Sequence, residues 1–121
     1  MEEYSFEKLL AYQSTRKLVV SVYRLMDKFP SSERYALCDQ LRRAIISVPS
    51  NIAEGSGRVS VKEKIHFLEI AFGSLMESYC QLQIAQDLGY LSADDINSIK
   101  SQFFDCSRLI SGLKKSFEAK L

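Results

Sequence analysis

Turn-forming residues are scarce in this 121-residue chain: five glycines and two prolines are too few for the frequent turns of a sandwich or small barrel. No apolar run approaches the roughly 18 residues of a membrane span, and the start Met1-Glu2-Glu3 is too acidic for a signal peptide. The three cysteines, Cys38, Cys80 and Cys106, are odd in number and lack a CxxC spacing, which points to a reducing cytoplasm rather than a disulfide framework. Charge of one sign is also lacking. Sixteen Lys and Arg face fifteen Asp and Glu, leaving +1 and no strong field toward nucleic acid or membrane. Residues 1–30, 31–60 and 91–121 each carry +1, and 61–90 carries −2, so blocks of this size show no electrostatic stripe.

What is present is helical period, in the proportions of one soluble domain over residues 1–121: 46% apolar and 26% charged. Tyr12, Thr15, Val19, Val22, Met26 and Phe29 repeat at 3-4 spacing, and Phe29-Pro30 stops that helix. Pro30 can open the second helix, whose positive end Glu33 favours. Its seam is Cys38, Leu41, Ile45, Val48 and Ile52, and Gly55-Ser56-Gly57 offers left-handed residues for its stop. Ser60 with Glu63 reads as a capping box before Ile65, Leu68, Phe72, Leu75, Tyr79 and Leu82. Gly89 closes the third helix, and Ser92 to Asp95 caps a fourth with Ile96, Ile99, Phe103, Cys106, Ile110, Leu113 and Phe117. Helices at about 7–28, 31–55, 61–88 and 93–119 with short connections predict an all-α, antiparallel, up-down-up-down four-helix bundle.

Two positions interrupt the pattern. Pro49 removes an N–H inside helix two and predicts a kink or break there, with Ser50 and Asn51 bonding the freed backbone. Gly73 weakens helix three and suggests a close approach or a bend. Leu18, Leu25, Ile46, Phe67, Ile70, Phe104 and Leu109 exceed one seam and have two destinations open to them: a broad core or a surface for self-association.

The chemistry of catalysis is not assembled. His66 is the sole histidine, and its neighbours Glu63 and Glu69 form ordinary helix-surface spacings. The Glu-x-x-His pair is single where a dinuclear site needs two, so no metal or cofactor is expected. Gly55-Ser56-Gly57-Arg58 follows a helix and lacks a Lys-Ser/Thr end, so it is no phosphate loop. These features predict a protein without enzymatic activity, small-molecule substrate or membrane contact. The positions with a phosphate-binding alternative are Arg42 and Arg43 in helix two and Arg58, Lys62 and Lys64 around the start of helix three. The structural alternative pairs an arginine of helix two with Glu54 or Glu77.

The stretch from Gln40 to Arg58, QLRRAIISVPSNIAEGSGR, resembles the signature of the four-helix bundle proteins associated with intervening sequences in bacterial large-subunit ribosomal RNA. The resemblance extends to Phe29-Pro30, Glu33 and Tyr35, to Phe67-Leu68 and Ala71, to Gly73-Ser74-Leu75 with Glu77, and to Leu88-Gly89-Tyr90-Leu91, covering about residues 6 to 120. It implies a bundle assembled into a homopentameric ring, with structured RNA or a reverse transcriptase as partner. The second partner comes from a related branch, the accessory variability proteins of diversity-generating retroelements, whose pentamers are basic where this chain is near neutral. The family offers no catalytic residue. The signature positions are Arg42, Arg43, Asn51, Glu54 and Arg58. The expectation is therefore an RNA- or reverse-transcriptase-associated adaptor; the alternative is a protein-only scaffold with no affinity for nucleic acid.

Overall fold

A computed structural model describes residues 2–121, with four α-helices and no strand among them. The helices are α1 (Leu10–Met26), α2 (Leu37–Ser56), α3 (Val61–Asp87) and α4 (Ala93–Glu118). Each packs on its sequence neighbours, and α4 returns to α1, so α1 and α3 stand at diagonal corners. Cross-helix contacts run in opposite senses. Gln81 faces Gln40, Ser74 faces Ser47 and the start of α3 passes Gly55, while Lys114 of α4 reaches Glu69 and Phe103 meets Tyr79. Successive helices are thus antiparallel.

The predicted seams of α2 and α4 are the buried ones: Cys38, Leu41, Ile45, Val48 and Ile52, then Ile96, Ile99, Phe103, Cys106 and Ile110. Leu113 and Phe117 are half-buried where α4 outruns the core. Along the α1 stripe, Thr15, Val22, Met26 and Phe29 are buried as predicted, but Ala11 and Leu18 are buried in place of Tyr12 and Val19. Leu18 is fully buried, whereas Val19 and Tyr12 are only half-buried at the edge. The surplus apolar residues divide. Leu18, Leu25, Phe67 and Leu109 broaden the core or its margin, while Ile46, Ile70 and Phe104 stay exposed.

Several local expectations are corrected. α1 begins at Leu10 rather than near residue 7, after a short 3-10 turn at Ser5–Lys8. Pro30 does not open α2: it is extended (φ −68°, ψ 154°) and precedes a second 3-10 turn, Ser31–Glu33, so α2 starts at Leu37 rather than residue 31. Glu33 still serves that helix end, its Oε1 accepting from the Leu37 N–H at 3.4 Å while Oε2 accepts from the Tyr90 hydroxyl at 2.7 Å. α2 runs through Pro49 unbroken, and Pro49 is buried. A short proline ring costs less there because the neighbouring helices bury it as an apolar surface.

Gly55 and Gly57 do not turn left-handed; among the described residues only Gly89 has positive φ, at 84°. There the Tyr90 N–H bonds back to the Ala85 carbonyl and the Gly89 N–H to Gln86, the paired bonds that close a helix around a left-handed glycine. Gly55 instead sits buried inside α2, where α3 passes. Gly73 has no such neighbour within the chain.

Candidate nucleic-acid interface

α2 and α3 together carry most of the signature polar residues, and the helix period decides where each lands. Positions 40, 43, 47, 51 and 54 follow one another at three or four residues, so they share the edge of α2 that faces α3. Along that edge the Ser47 and Ser74 hydroxyls bridge the helices at 2.9 Å, and Asn51 Nδ2 donates to the Ser47 carbonyl and hydroxyl, both at 2.8 Å. The carbonyl Asn51 bonds is therefore that of Ser47, not that of Ile45, whose partner Pro49 cannot supply. Further along, Gln81 Nε2 donates to Glu77 at 3.3 Å and Gln40 at 3.5 Å, while its buried Oε1 has no partner.

The arginines are not equivalent. Arg42 donates to the Asp39 carboxylate and, at 3.2 Å, to the Arg34 carbonyl, which ties the incoming chain to the first turns of α2. Arg43 is exposed above a shallow groove with Gln40, Ser47, Ser74 and Glu77, and has no ion pair among the described residues. Neither arginine pairs with Glu54 or Glu77, as the structural alternative supposed. Glu54 instead holds Arg58 at 2.9 Å. Arg58 also lies 3.9 Å from Glu63 and 4.7 Å above the Phe67 ring, so its guanidinium is committed on three sides. Ser60 caps α3 through the Glu63 N–H at 3.0 Å, but the Glu63 carboxylate turns to Arg58 rather than back to the cap. Lys64 Nζ donates to the Ser56 carbonyl at 2.9 Å, and Lys62 is exposed without an ion pair.

The five nucleic-acid candidates do not form one patch. The end of α2 at Ser56 lies fourteen residues beyond Arg42, about 21 Å along the axis, and Arg58 lies in the turn beyond it. Arg58 and Lys62 flank the α2–α3 turn, and Arg42 and Arg43 lie near the far end of α2. His66 is exposed and meets only the edge of Phe67, 5.7 Å between ring centres. No group of three His, Cys, Asp or Glu side chains is placed to hold a metal ion among the described residues. No helix among them is long and apolar enough to cross a membrane.

Two features escaped sequence reading. α1 contains Arg16, Lys17 and Arg24 and not one carboxylate. Its signal was the acid-free run from Lys8 to Met26, which block charges conceal by including Glu2, Glu3 and Glu7. α3, besides its core face, turns Ile70, Met76 and Ile84 outward on either side of Gly73 and Cys80.

Over residues 7–112 the chain matches the model of the 23S rRNA-intervening sequence protein family, and it belongs to that family. No curated protein matches it in sequence. In fold it is similar to the crystal structure of a protein of unknown function from the S23 ribosomal protein family of Bacteroides thetaiotaomicron. The two are 19% identical with a TM-score of 0.79, over 88% of this chain and 96% of the other.

Proposed function

We propose that this member of the 23S rRNA-intervening sequence family is a non-enzymatic helical bundle that associates with itself, as a pentameric ring, and acts as an adaptor around structured RNA or a reverse-transcriptase-like partner. The observation that carries the reading is the second apolar face of α3. A helix at the surface of a lone bundle buries one stripe and solvates the other. On α3 the outward stripe holds Ile70, Met76 and Ile84, with Gly73 leaving room for another backbone to come close. Such a face is satisfied by a second copy. Repetition around a ring multiplies weak contacts to one long partner, which offsets a near-neutral subunit. In this reading the protein works in the bacterial cytoplasm, where its three free thiols stay reduced.

The test is light-scattering mass of the purified chain beside Ile70→Glu/Ile84→Glu. The expected result is an oligomer that the double variant reduces to folded monomers; a wild-type mass of one 13.8 kDa chain would overturn the reading. A protein-only scaffold is the second reading, favoured by the internal ion pairs of Arg42 and Arg58. It predicts the same mass but no RNA affinity.

A further inference from the structure

Cations and carboxylates are unevenly shared among the four helices. α2 sets Arg42 and Arg43 against Asp39 and Glu54, and α4 sets four bases against four acids. α3 carries Glu63, Glu69, Glu77 and Asp87 against two lysines, and α1 carries three bases alone. The bundle is therefore basic at the α1 corner and acidic at the diagonal one.

The bases of α1 are also uncommitted as a set, whereas free cations elsewhere, such as Arg43 and Lys62, occur singly among paired ones. Arg42, Arg58, Arg108, Lys28 and Lys114 each face a carboxylate of the same chain. Arg16, Lys17 and Arg24 have none within 4 Å among the described residues, and the one internal contact recorded for them is Arg16 over the Tyr12 ring at 5.5 Å. Gln13, Lys17, Val20 and Arg24 succeed one another at 3-4 spacing down the exposed face of the helix. Two shallow depressions flank Val20, one edged by Gln13, Arg16 and Lys17, the other by Tyr23 and Arg24. The acid Asp27 ends the row.

We infer that the outward face of α1 is the RNA site, holding the phosphate backbone through Arg16, Lys17 and Arg24, and that the carboxylate-paired Arg42 and Arg58 are not. The inference rests on the RNA-associated reading above and names its surface. An uncommitted cation binds phosphate by releasing the counterions of the RNA; a paired one keeps a carboxylate beside the incoming phosphate and loses most of that gain. The face suits a polyanion better than a protein. Its exposed aliphatics, Leu10 and Val20, lie ten residues apart, about 15 Å, and make no contiguous apolar centre.

The experiment is fluorescence anisotropy of a labelled 23S rRNA stem–loop with the intact oligomer, at about 50 and 200 mM salt. Lys17→Ser/Arg24→Ser is compared with Lys100→Ser/Lys115→Ser, which removes the same charge from α4. The expected result is at least a tenfold loss of affinity, and a salt slope shallower by roughly 1.5, for the α1 pair only. Equal losses for both pairs would reduce the effect to net charge and overturn the inference. An α1 pair that binds like wild type would overturn it while leaving the RNA reading intact. An altered oligomer mass in the α1 pair would make this face a contact between copies, which also overturns it. If wild type fails to bind at the lower salt, the RNA reading itself falls and takes the inference with it.

Discussion

Gly55 and Phe67 meet so closely that a Cβ added to Gly55 would stand 2.8 Å from the Cβ of Phe67. The contact sets the spacing of α2 and α3 at the end of the bundle where Arg58 covers the same ring. A methyl there cannot be absorbed by the far end of a flexible side chain, so one of the two helices has to move.

Gly55→Ala therefore lowers stability even though alanine is the better helix former. Overpacking costs about 1–3 kcal/mol against a propensity gain of about 1 kcal/mol, for a net loss of about 1 kcal/mol. Gly112→Ala, in the interior of α4 with nothing facing it, gains about 0.5–1 kcal/mol. Urea unfolding of the two variants checks the contrast; equal shifts of one sign would show that the close approach plays no part.

Removal of the Gln81 amide is expected to stabilise. The side chain is only 6% exposed, its Oε1 is unpartnered, and its Nε2 bonds are long at 3.3 and 3.5 Å. Gln81→Met keeps the volume and deletes the unsatisfied acceptor, for a gain of about 1 kcal/mol. A loss of similar size in urea unfolding would mean that those two long bonds outweigh the bare oxygen.

Stability falls in acid partly through Asp95. The hydrogen bond from the Lys28 ammonium, followed by that from the Ser92 N–H, holds this carboxyl below its ordinary 3.8. Its folded value is depressed, so the ionised form contributes stability above about pH 4, and the contribution disappears as pH falls through the folded value. Asp95→Asn should melt below wild type near neutral pH, with the gap narrowing as pH falls below the ordinary carboxylate value of 3.8. A gap of constant size across that range would assign the loss to the cap geometry alone.

The thiols should divide by burial. Cys80 is exposed, whereas Cys106 is buried and its thiol is pushed up to about 11 by desolvation; burial also raises Cys38. Thiolate is the reactive form, so in the monomeric Ile70→Glu/Ile84→Glu variant, whose α3 face is uncovered, one cysteine per chain is modified promptly by a disulfide reagent and two wait for opening. Cys80→Ser should abolish the prompt reaction. Prompt modification of three thiols would mean that the core opens readily.

Much of the bundle was legible because its seams are long and obey one period. α2 and α4 declared their buried faces residue by residue, since each packs against two neighbours along most of its length. α1 is shorter and adjoins a 3-10 turn. Thr15, Val22, Met26 and Phe29 are buried as its period predicts, but Leu18 takes the place expected of Val19, a choice that two adjacent aliphatics cannot disclose. The delayed start of α2 was hidden because Pro30 suits an extended residue as well as a first helical turn. The arginines misled for a different reason. Their partners lie within reach along the chain rather than on a neighbouring helix. Asp39 and Glu54 stand three and four residues from Arg42 and Arg58, a spacing that sequence shows but that competes with cross-helix pairing to Glu77.

A net charge of +1 conceals a polar molecule. With a basic helix at one corner and an acidic helix across the diagonal, each bundle is a transverse electric dipole, and torque rather than net attraction governs its approach to a charged body. A polyanion turns such a subunit α1-first before contact, while isoelectric focusing registers only near neutrality.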